Sequence, residues 1–434
     1  MLARSNLFNG RYLSVFVGIV MVLASLSACT TSNSTNNSTT PQNTSPITIG
    51  YTVPRTGDFS GDGPLLEQGY QLWADQINKN GGLLGRQVKL IGEDDASKPE
   101  QVTTDYQSLI TVNHVDLLFA PFSGDLTVPA AIVAHRFGYV MVEGAATEKA
   151  TYQHGLDNLF AVSLPAEHYI TSFANFILSL PQAQRPTTAA YVTSNDPFTE
   201  PQVAAARDLL ENNGQPGGLD SVLYRTFGPE TTNYRTLAAE MVQSGAQVVV
   251  LGTLDVNGLS QFMKYFRSQH YNPEALIAAT GPDQGSAYLN AIGDGNPKDT
   301  AFANRMAEGT FVPNDGWYPG INTYQNDVFT QDWQAKNPGQ PPDGISSDTV
   351  QGFAAAQVLQ QAIEATHSID NTTLKAYLRS HTFNSIQGAV QFDAQGRNTV
   401  AVAFLFQWQN GKLLPVYPPS RAAANPEFPK MPWP

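Results

Sequence analysis

The chain has 434 residues, 41% of them apolar, which is enough for two or more compact lobes and too long for one average domain. Lys and Arg total 24 against 37 Asp and Glu, a formal net charge of -13, and this balance argues against a protein that neutralises nucleic-acid phosphates. The single cysteine excludes a disulfide framework and an all-cysteine metal site.

The beginning of the chain has the pattern of an export signal. Two arginines precede an apolar stretch, residues 12–26, that is short for a membrane-spanning helix. The stretch runs into Leu-Ser-Ala-Cys ending at Cys29, which looks like a bacterial lipobox. We therefore expect a lipoprotein signal peptide at residues 1–28, lipidation of Cys29 and a disordered tether at residues 29–45. The alternatives are a plain signal peptide with a chance cysteine and an uncleaved anchor helix.

After the tether, short β-branched or aromatic runs alternate with amphipathic stretches, which is typical of βαβ units with parallel strands. The strands predicted in a first series are residues 47–53, 88–91, 115–122 and 139–145. Leu66, Tyr70, Trp73 and Ile77 recur at helical spacing. A second helix is predicted at residues 101–112.

A second series repeats the alternation. Its predicted strands are residues 188–193, 222–227, 248–253 and 275–280. Its predicted helices are residues 203–212, 234–242 and 259–267. A strong helix follows around residues 350–363, and Asn410-Gly411 predicts a hairpin between residues 404–408 and 413–417. The chain is therefore predicted to be an α/β protein with two sheets.

Two segments of the first series carry a family resemblance. They are Gly-Tyr-Gln-Leu-Trp-Ala-Asp-Gln-Ile-Asn-Lys-Asn-Gly-Gly-Leu-Leu-Gly at residues 69–85 and Glu-Asp-Asp-Ala-Ser-Lys-Pro-Glu at residues 93–100. Together they resemble the start of the type I periplasmic binding proteins of the branched-chain amino acid (Leu/Ile/Val-binding) group, which are the solute receptors of ABC importers. The resemblance covers nearly all of residues 46–420.

The resemblance implies two Rossmann-like α/β lobes joined by a three-strand hinge, with a ligand closed between them. The crossings are expected near Leu164, Phe311 and Gln387. The N-terminal lobe is then residues 46–164 plus 312–386. The C-terminal lobe is residues 165–311 plus 387–420, and a Pro-rich tail occupies residues 421–434.

The general rule for open parallel sheets places a ligand at the carboxyl ends of strands, beside helix N-termini. Ser123 follows a predicted strand and opens a helix, so its hydroxyl and the nearby amides suit a carboxylate. The resemblance adds the turn with Ala145 and Thr147, which binds the ligand's α-groups in the family. The alternative interpretation is that Ser123 has only the structural role of a helix N-cap.

On the second lobe, the resemblance places Phe198 where the family has an aromatic residue that covers the ligand. Asp283 stands where the family often has an acid that pairs with the ligand ammonium, with Gln284 as the alternative. Asp62 and Asp255 depart from the pattern of the family, in which aromatic or apolar residues are usual at these positions. Two extra acids in a closed cleft favour a polar or cationic ligand end over an aliphatic one.

We expect an extracytoplasmic solute-binding protein of an ABC importer, lipid-anchored to the cell membrane and monomeric, that passes a small amino-acid-like ligand to permease subunits. No enzyme motif occurs, the seven histidines lack metal-ligand spacing, and no cofactor, metal or nucleic-acid partner is expected. The first alternative is a ligand sensor that feeds a membrane signalling receptor. A secreted lipoprotein hydrolase is the second, kept only because Ser123 follows a strand.

Overall fold

The fold was taken from a computed structural model, which describes residues 44–434 except 215, 216, 294 and 296–298. The signal peptide, Cys29 and most of the tether therefore lie outside the described residues.

The first sheet has five parallel strands in the order β2-β1-β3-β4-β5. The strands are β1 (Ile47–Val53), β2 (Val88–Asp94), β3 (Leu117–Phe119), β4 (Met141–Glu143) and β5 (Leu159–Ala161). The helices between them are α1 (Gly63–Lys79), α2 (Pro99–Thr111) and α3 (Gly124–Arg136). β3 is shorter than the predicted strand, and Pro121 beyond it has no amide hydrogen to donate to a neighbouring strand.

The second sheet has seven strands in the order β14-β13-β10-β9-β8-β6-β7. Its first segment contains α4 (Thr171–Ser179), β6 (Thr188–Ser194), α5 (Thr199–Leu210), β7 (Asp220–Phe227), α6 (Arg235–Ser244), β8 (Val248–Gly252), α7 (Val256–Ser268), β9 (Ala275–Ala278), α8 (Gly285–Ile292), α9 (Thr300–Ala307) and β10 (Phe311–Asn314). Five strands run parallel, and the hairpin β13 (Phe404–Gln409) and β14 (Lys412–Tyr417) adds two antiparallel strands at one edge.

The remaining elements are α10 (Asn326–Lys336), α11 (Ser347–Thr366), α12 (Asn371–Ser380), β11 (Thr382–Ser385) and β12 (Gly388–Gln391). Short 3₁₀ turns lie at Lys149–Tyr152, Ala166–His168, Gln182–Gln184, Asn212–Gly214 and Pro342–Gly344. The sequence patterns did not predict β5, β10 or the β11–β12 pair, because strands of three or four residues are too short to reveal a period.

Helix α11 returns to the first sheet and packs along α1. The contact is close because two glycines meet there: a Cβ on Gly69 would lie 2.3 Å from the Thr349 carbonyl oxygen, and one on Gly352 would lie 2.4 Å from that of Leu66. On the other face of the sheet, α2 and α3 cover a separate apolar core that includes Tyr106. The first lobe is thus a sheet between two helical layers.

The chain passes three times between the two sheets. The first passage lies between β5 and α4, and the second lies between β10 and α10. The third differs from the prediction near Gln387: β12 pairs with β11, and the chain joins the seven-stranded sheet only at β13. That passage therefore lies between Gln391 and Phe404.

Candidate ligand-binding cleft

Ser123 opens α3 without capping it. Its φ is +70°, a left-handed conformation that non-glycine residues rarely adopt, and its side chain accepts no hydrogen bond from the helix amides. The Oγ atom is buried and has no hydrogen-bond partner among the residues that the structure describes. A buried hydroxyl without a partner is costly, so a ligand or water is the natural partner of this group. The N-cap interpretation therefore does not account for Ser123.

The turn after β4 is stabilised by hydrogen bonds to the carboxyl group of Glu143, a residue that the sequence patterns did not indicate. Glu143 is fully buried; its Oε2 accepts from the Ala146 amide at 2.6 Å, and its Oε1 accepts from the Tyr152 hydroxyl. The Tyr152 hydroxyl also lies 2.9 Å from the Ala146 carbonyl oxygen. Burial raises the pKa of Glu143 to about 8. These bonds fix the turn that carries Ala145, which is partly buried, and Thr147, which is 5% exposed.

Tyr169, also missed by the sequence analysis, connects the two lobes. It follows the first passage, and its ring packs on Phe198 with centroids 5.8 Å apart. Its hydroxyl lies close to the Thr147 side chain. The predicted residues Thr147 and Phe198, which belong to different lobes, are therefore brought together by one tyrosine.

Phe198 is partly buried and stands directly before α5. Asp196 holds this corner: its Oδ1 accepts from the amides of Phe198 and Thr199, each at 2.9 Å. Such a carboxylate satisfies amides at a helix start that have no partner within the helix. The Phe198 backbone is therefore held independently of any ligand.

Asp283 follows β9 in a tight turn. Its Oδ1 accepts from the Gly281 amide at 2.9 Å, and Gly281 has a φ of +114°. The side chain is solvent-accessible although protein surrounds it on most sides, and this desolvation raises its pKa. The alternative, Gln284, is exposed at the start of α8.

Asp62 and Asp255 have different surroundings. Asp62 is partly buried before α1, and desolvation raises its pKa. Asp255 is exposed and caps α7, with its Oδ1 accepting from the Gly258 amide at 2.7 Å. The cap gives Asp255 a structural role, and its contact with a ligand stays a prediction.

Three further acids face this region and were not predicted. Asp315 comes directly after β10 and is 8% exposed; its Oδ2 accepts from Gln351 Nε2 at 3.0 Å. Asp348 lies in the first turn of α11. Glu148 follows the Thr147 turn, and its Oε2 is buried close to Gly124. The rule that uses strand ends would have found Asp315 had the short strand β10 been recognised.

A cavity of about 700 Å³ lies elsewhere, between Arg305, Glu308 and the C-terminal tail. None of the predicted ligand-binding residues lines it. The buried polar groups described above lie at the strand ends between the lobes, so the cleft remains the candidate site.

The sequence model of the periplasmic binding protein family matches residues 46–412. The chain belongs to this family. Among relatives, a Leu/Ile/Val-binding protein homolog 7 from Brucella abortus (strain 2308) is 23% identical over 397 residues, covering 88% of this chain and 94% of that protein.

Two solved structures share the fold of this periplasmic binding protein. A putative branched-chain amino acid ABC transporter from Silicibacter pomeroyi superposes with a TM-score of 0.75 at 20% identity, covering 89% of this chain and 100% of that one. The branched-chain amino acid transporter substrate binding protein of Streptococcus pneumoniae, in complex with isoleucine, superposes with a TM-score of 0.66 at 17% identity. The match covers 85% of this chain and 97% of that one. The expected two-lobed α/β fold is confirmed.

Family membership implies a location outside the cytoplasm. Within residues 44–434, as far as they are described, no helix combines the length and the apolar character needed to cross a bilayer. Cys29 lies outside the described residues, so lipid anchoring stays a prediction.

Proposed function

We propose that this periplasmic binding protein is the substrate-binding component of an ABC importer and takes an amino-acid-like solute between its two lobes. The observation that carries the proposal is the buried, unpartnered Ser123 hydroxyl at a strand end, in the cleft where Tyr169 brings Thr147 and Phe198 together. The relative is named as a Leu/Ile/Val-binding protein homolog and the two similar structures as branched-chain amino acid transporter proteins, which agrees with it.

The ligand binds first to the N-terminal lobe. There the Ser123 hydroxyl and the start of α3 suit a carboxylate, because the helix dipole favours negative charge at a helix N-terminus. The Ala145 carbonyl and the Thr147 hydroxyl accept from an ammonium group.

Closure then adds the contacts of the C-terminal lobe. Phe198 covers the ligand and Asp283 pairs with its ammonium, so these contacts exist only in the closed form. A shift of the hinge equilibrium from 1:99 to 99:1 needs about 5.5 kcal/mol of differential binding. The permease subunits recognise the closed shape.

The mature chain is tethered to the outer face of the membrane through lipid on Cys29. Growth with a labelled fatty acid tests this: the wild-type chain takes up label and sediments with membranes, whereas Cys29→Ser does neither. A labelled Cys29→Ser chain would contradict the anchor without affecting the binding proposal.

Isothermal titration of the purified mature chain with the common amino acids tests the binding function. Saturable heat with at least one amino acid, weakened in Ser123→Ala, is the expected result. The absence of heat with all of them would overturn the amino-acid assignment. Uptake of the labelled ligand by cells with and without the gene then distinguishes import from sensing, because a sensor leaves uptake unchanged.

A further inference from the structure

Two acids stand at the same end of the paired helices in the first lobe. Asp62 comes directly before α1, and Asp348 lies in the first turn of α11. The helices are joined at this end, where Thr349 Oγ1 donates to the Leu65 carbonyl oxygen at 2.9 Å. Asp62 and Asp348 are therefore neighbours across the helix pair.

Two more acids continue this row into the second lobe. Gln351, three residues after Asp348, donates to the Asp315 carboxylate at 3.0 Å. Asp315 follows β10 and Asp283 follows β9, and these strands are parallel partners. Both acids therefore leave the same edge of the second sheet. A row of four carboxylates, Asp62, Asp348, Asp315 and Asp283, thus runs from one lobe to the other.

The row belongs to the cleft that carries the other ligand-binding candidates. Tyr169, which lies against Thr147 and Phe198, is close enough to Asp315 and Asp348 for their charges to act on its hydroxyl group. The buried hydroxyl of Ser123 lies at the same cleft, because the adjacent Gly124 lies against Glu148 Oε2, and the charge of Glu148 acts on Tyr169.

No cation within the described part of the chain neutralises the row. Seven ion pairs occur among the described residues, and none includes any of the four acids. Burial, and secondarily the charge of Asp62, raises the pKa of Asp348 to about 7; burial raises that of Asp315 to about 6. Carboxylates held together without a counter-charge are costly to ionise.

A single α-ammonium group, as in leucine, pairs with one acid and leaves the others unpaired. The four acids also lie at the ends of four different helices or strands. Among the described residues, no three Asp, Glu, His or Cys side chains are close enough together to bind a metal ion. An extended organic cation fits such a row better than a compact ion.

We infer that the ligand carries a second positively charged nitrogen group, an ammonium or guanidinium, in addition to its α-ammonium, and that Asp62 and Asp348 bind this group. The inference rests on the proposed solute-binding function and specifies its substrate class. It also distinguishes this chain from a binder of aliphatic side chains.

The test compares three ligands of matched shape by isothermal titration. Arginine carries the second cation, citrulline replaces it with a neutral urea group, and agmatine keeps it but lacks the carboxylate. We expect arginine or agmatine to bind at least about tenfold more tightly than citrulline, as charge-assisted hydrogen bonds require. The comparison of arginine with agmatine shows whether the site also needs a carboxylate.

Two variants assign the effect to the row. Asp348→Asn is expected to reduce the preference over citrulline by about tenfold. Asp220 is an exposed residue at the start of β7, whereas the cleft lies at the carboxyl ends of the strands. Asp220→Asn is therefore expected to leave the preference over citrulline unchanged. Thermal unfolding of both variants verifies that they fold.

The outcomes separate the two proposals. Citrulline or leucine binding as tightly as arginine and agmatine would overturn the inference and leave the solute-binding function intact. The same holds if Asp348→Asn and Asp62→Asn, both folded, keep the full preference. The absence of binding by every amino acid and by agmatine would overturn the proposed function and the inference together.

Discussion

The ring of Tyr169 packs edge to face on Phe198, with centroids 5.8 Å apart and the ring planes at 88°. Tyr169 is 8% exposed, whereas Phe198 is only partly buried. The buried ring of Tyr169 therefore packs against the more exposed ring of Phe198, and part of Phe198 remains accessible to a ligand.

Replacement of this aromatic face is expected to weaken binding. Phe198→Ala removes apolar contact and a ring face for the ligand, so the affinity for the amino acid that binds the wild type should fall about tenfold or more. Titration calorimetry measures it. Phe302→Ala, at a partly buried phenylalanine on α9, is the matched control and should bind normally. Equal affinities of the wild type and Phe198→Ala would contradict the role of Phe198.

Ser123→Gly is expected to separate stability from binding. Glycine tolerates the observed φ of +70° without strain, and no cap hydrogen bond is lost, so the free energy of unfolding should rise by about 1 kcal/mol. The hydroxyl group is lost, so ligand affinity should fall about tenfold. Urea unfolding and calorimetry on the same sample measure the two effects. A fall in stability together with unchanged affinity would show that Ser123 is structural.

Glu143→Gln is expected to flatten the pH dependence of stability. The folded pKa of Glu143 is raised to about 8 by burial, so its neutral form is favoured by folding. Its stabilising contribution is complete below the unfolded pKa, near 4.5, and is lost as the pH rises through 8. Between pH 5 and pH 8 the wild type should therefore lose at least about 1 kcal/mol more than Glu143→Gln. Parallel urea-unfolding series that give equal losses would refute this.

Lys430 is expected to make the protein more stable as the pH rises, which is the opposite of the effect of Glu143. It is 2% exposed, and its Nζ lies 2.5 Å from Asn272 Oδ1, 2.8 Å from the Met431 carbonyl oxygen and 4.1 Å from the centre of the Trp433 ring. Burial lowers its pKa to about 7, so the unfolded state binds more protons above that pH.

The contribution of Lys430 to the free energy of unfolding should therefore grow between pH 7 and about 10. Lys430→Met keeps the apolar stem and removes the titration, so its stability should rise less than that of the wild type from pH 7 to pH 9. Urea unfolding at the two pH values measures the difference. Identical changes in both proteins would show that this side chain is not desolvated as described.

Local patterns in the sequence were enough to predict the alternation of strands and helices, the C-terminal hairpin and the two-sheet class. They also place Ser123 and the Thr147 turn at strand ends, because the carboxyl ends of parallel strands share one edge wherever the rest of the chain goes. Hydrophobic period and turn residues act over a few positions, so one sequence reveals them.

Long-range packing decided the rest. Asp348 lies near Asp62 only because Gly69 and Gly352 let α11 approach α1 closely, and Asp315 reaches Gln351 only through the second passage between the sheets. The third passage depends on the pairing of β12 with β11. The contacts between α1 and α11 join residues that are far apart in the chain, and such contacts leave no periodic trace in the sequence. The pKa of a carboxyl group is set by the burial that such contacts create, so the acidic row and its charge became apparent only in the folded chain.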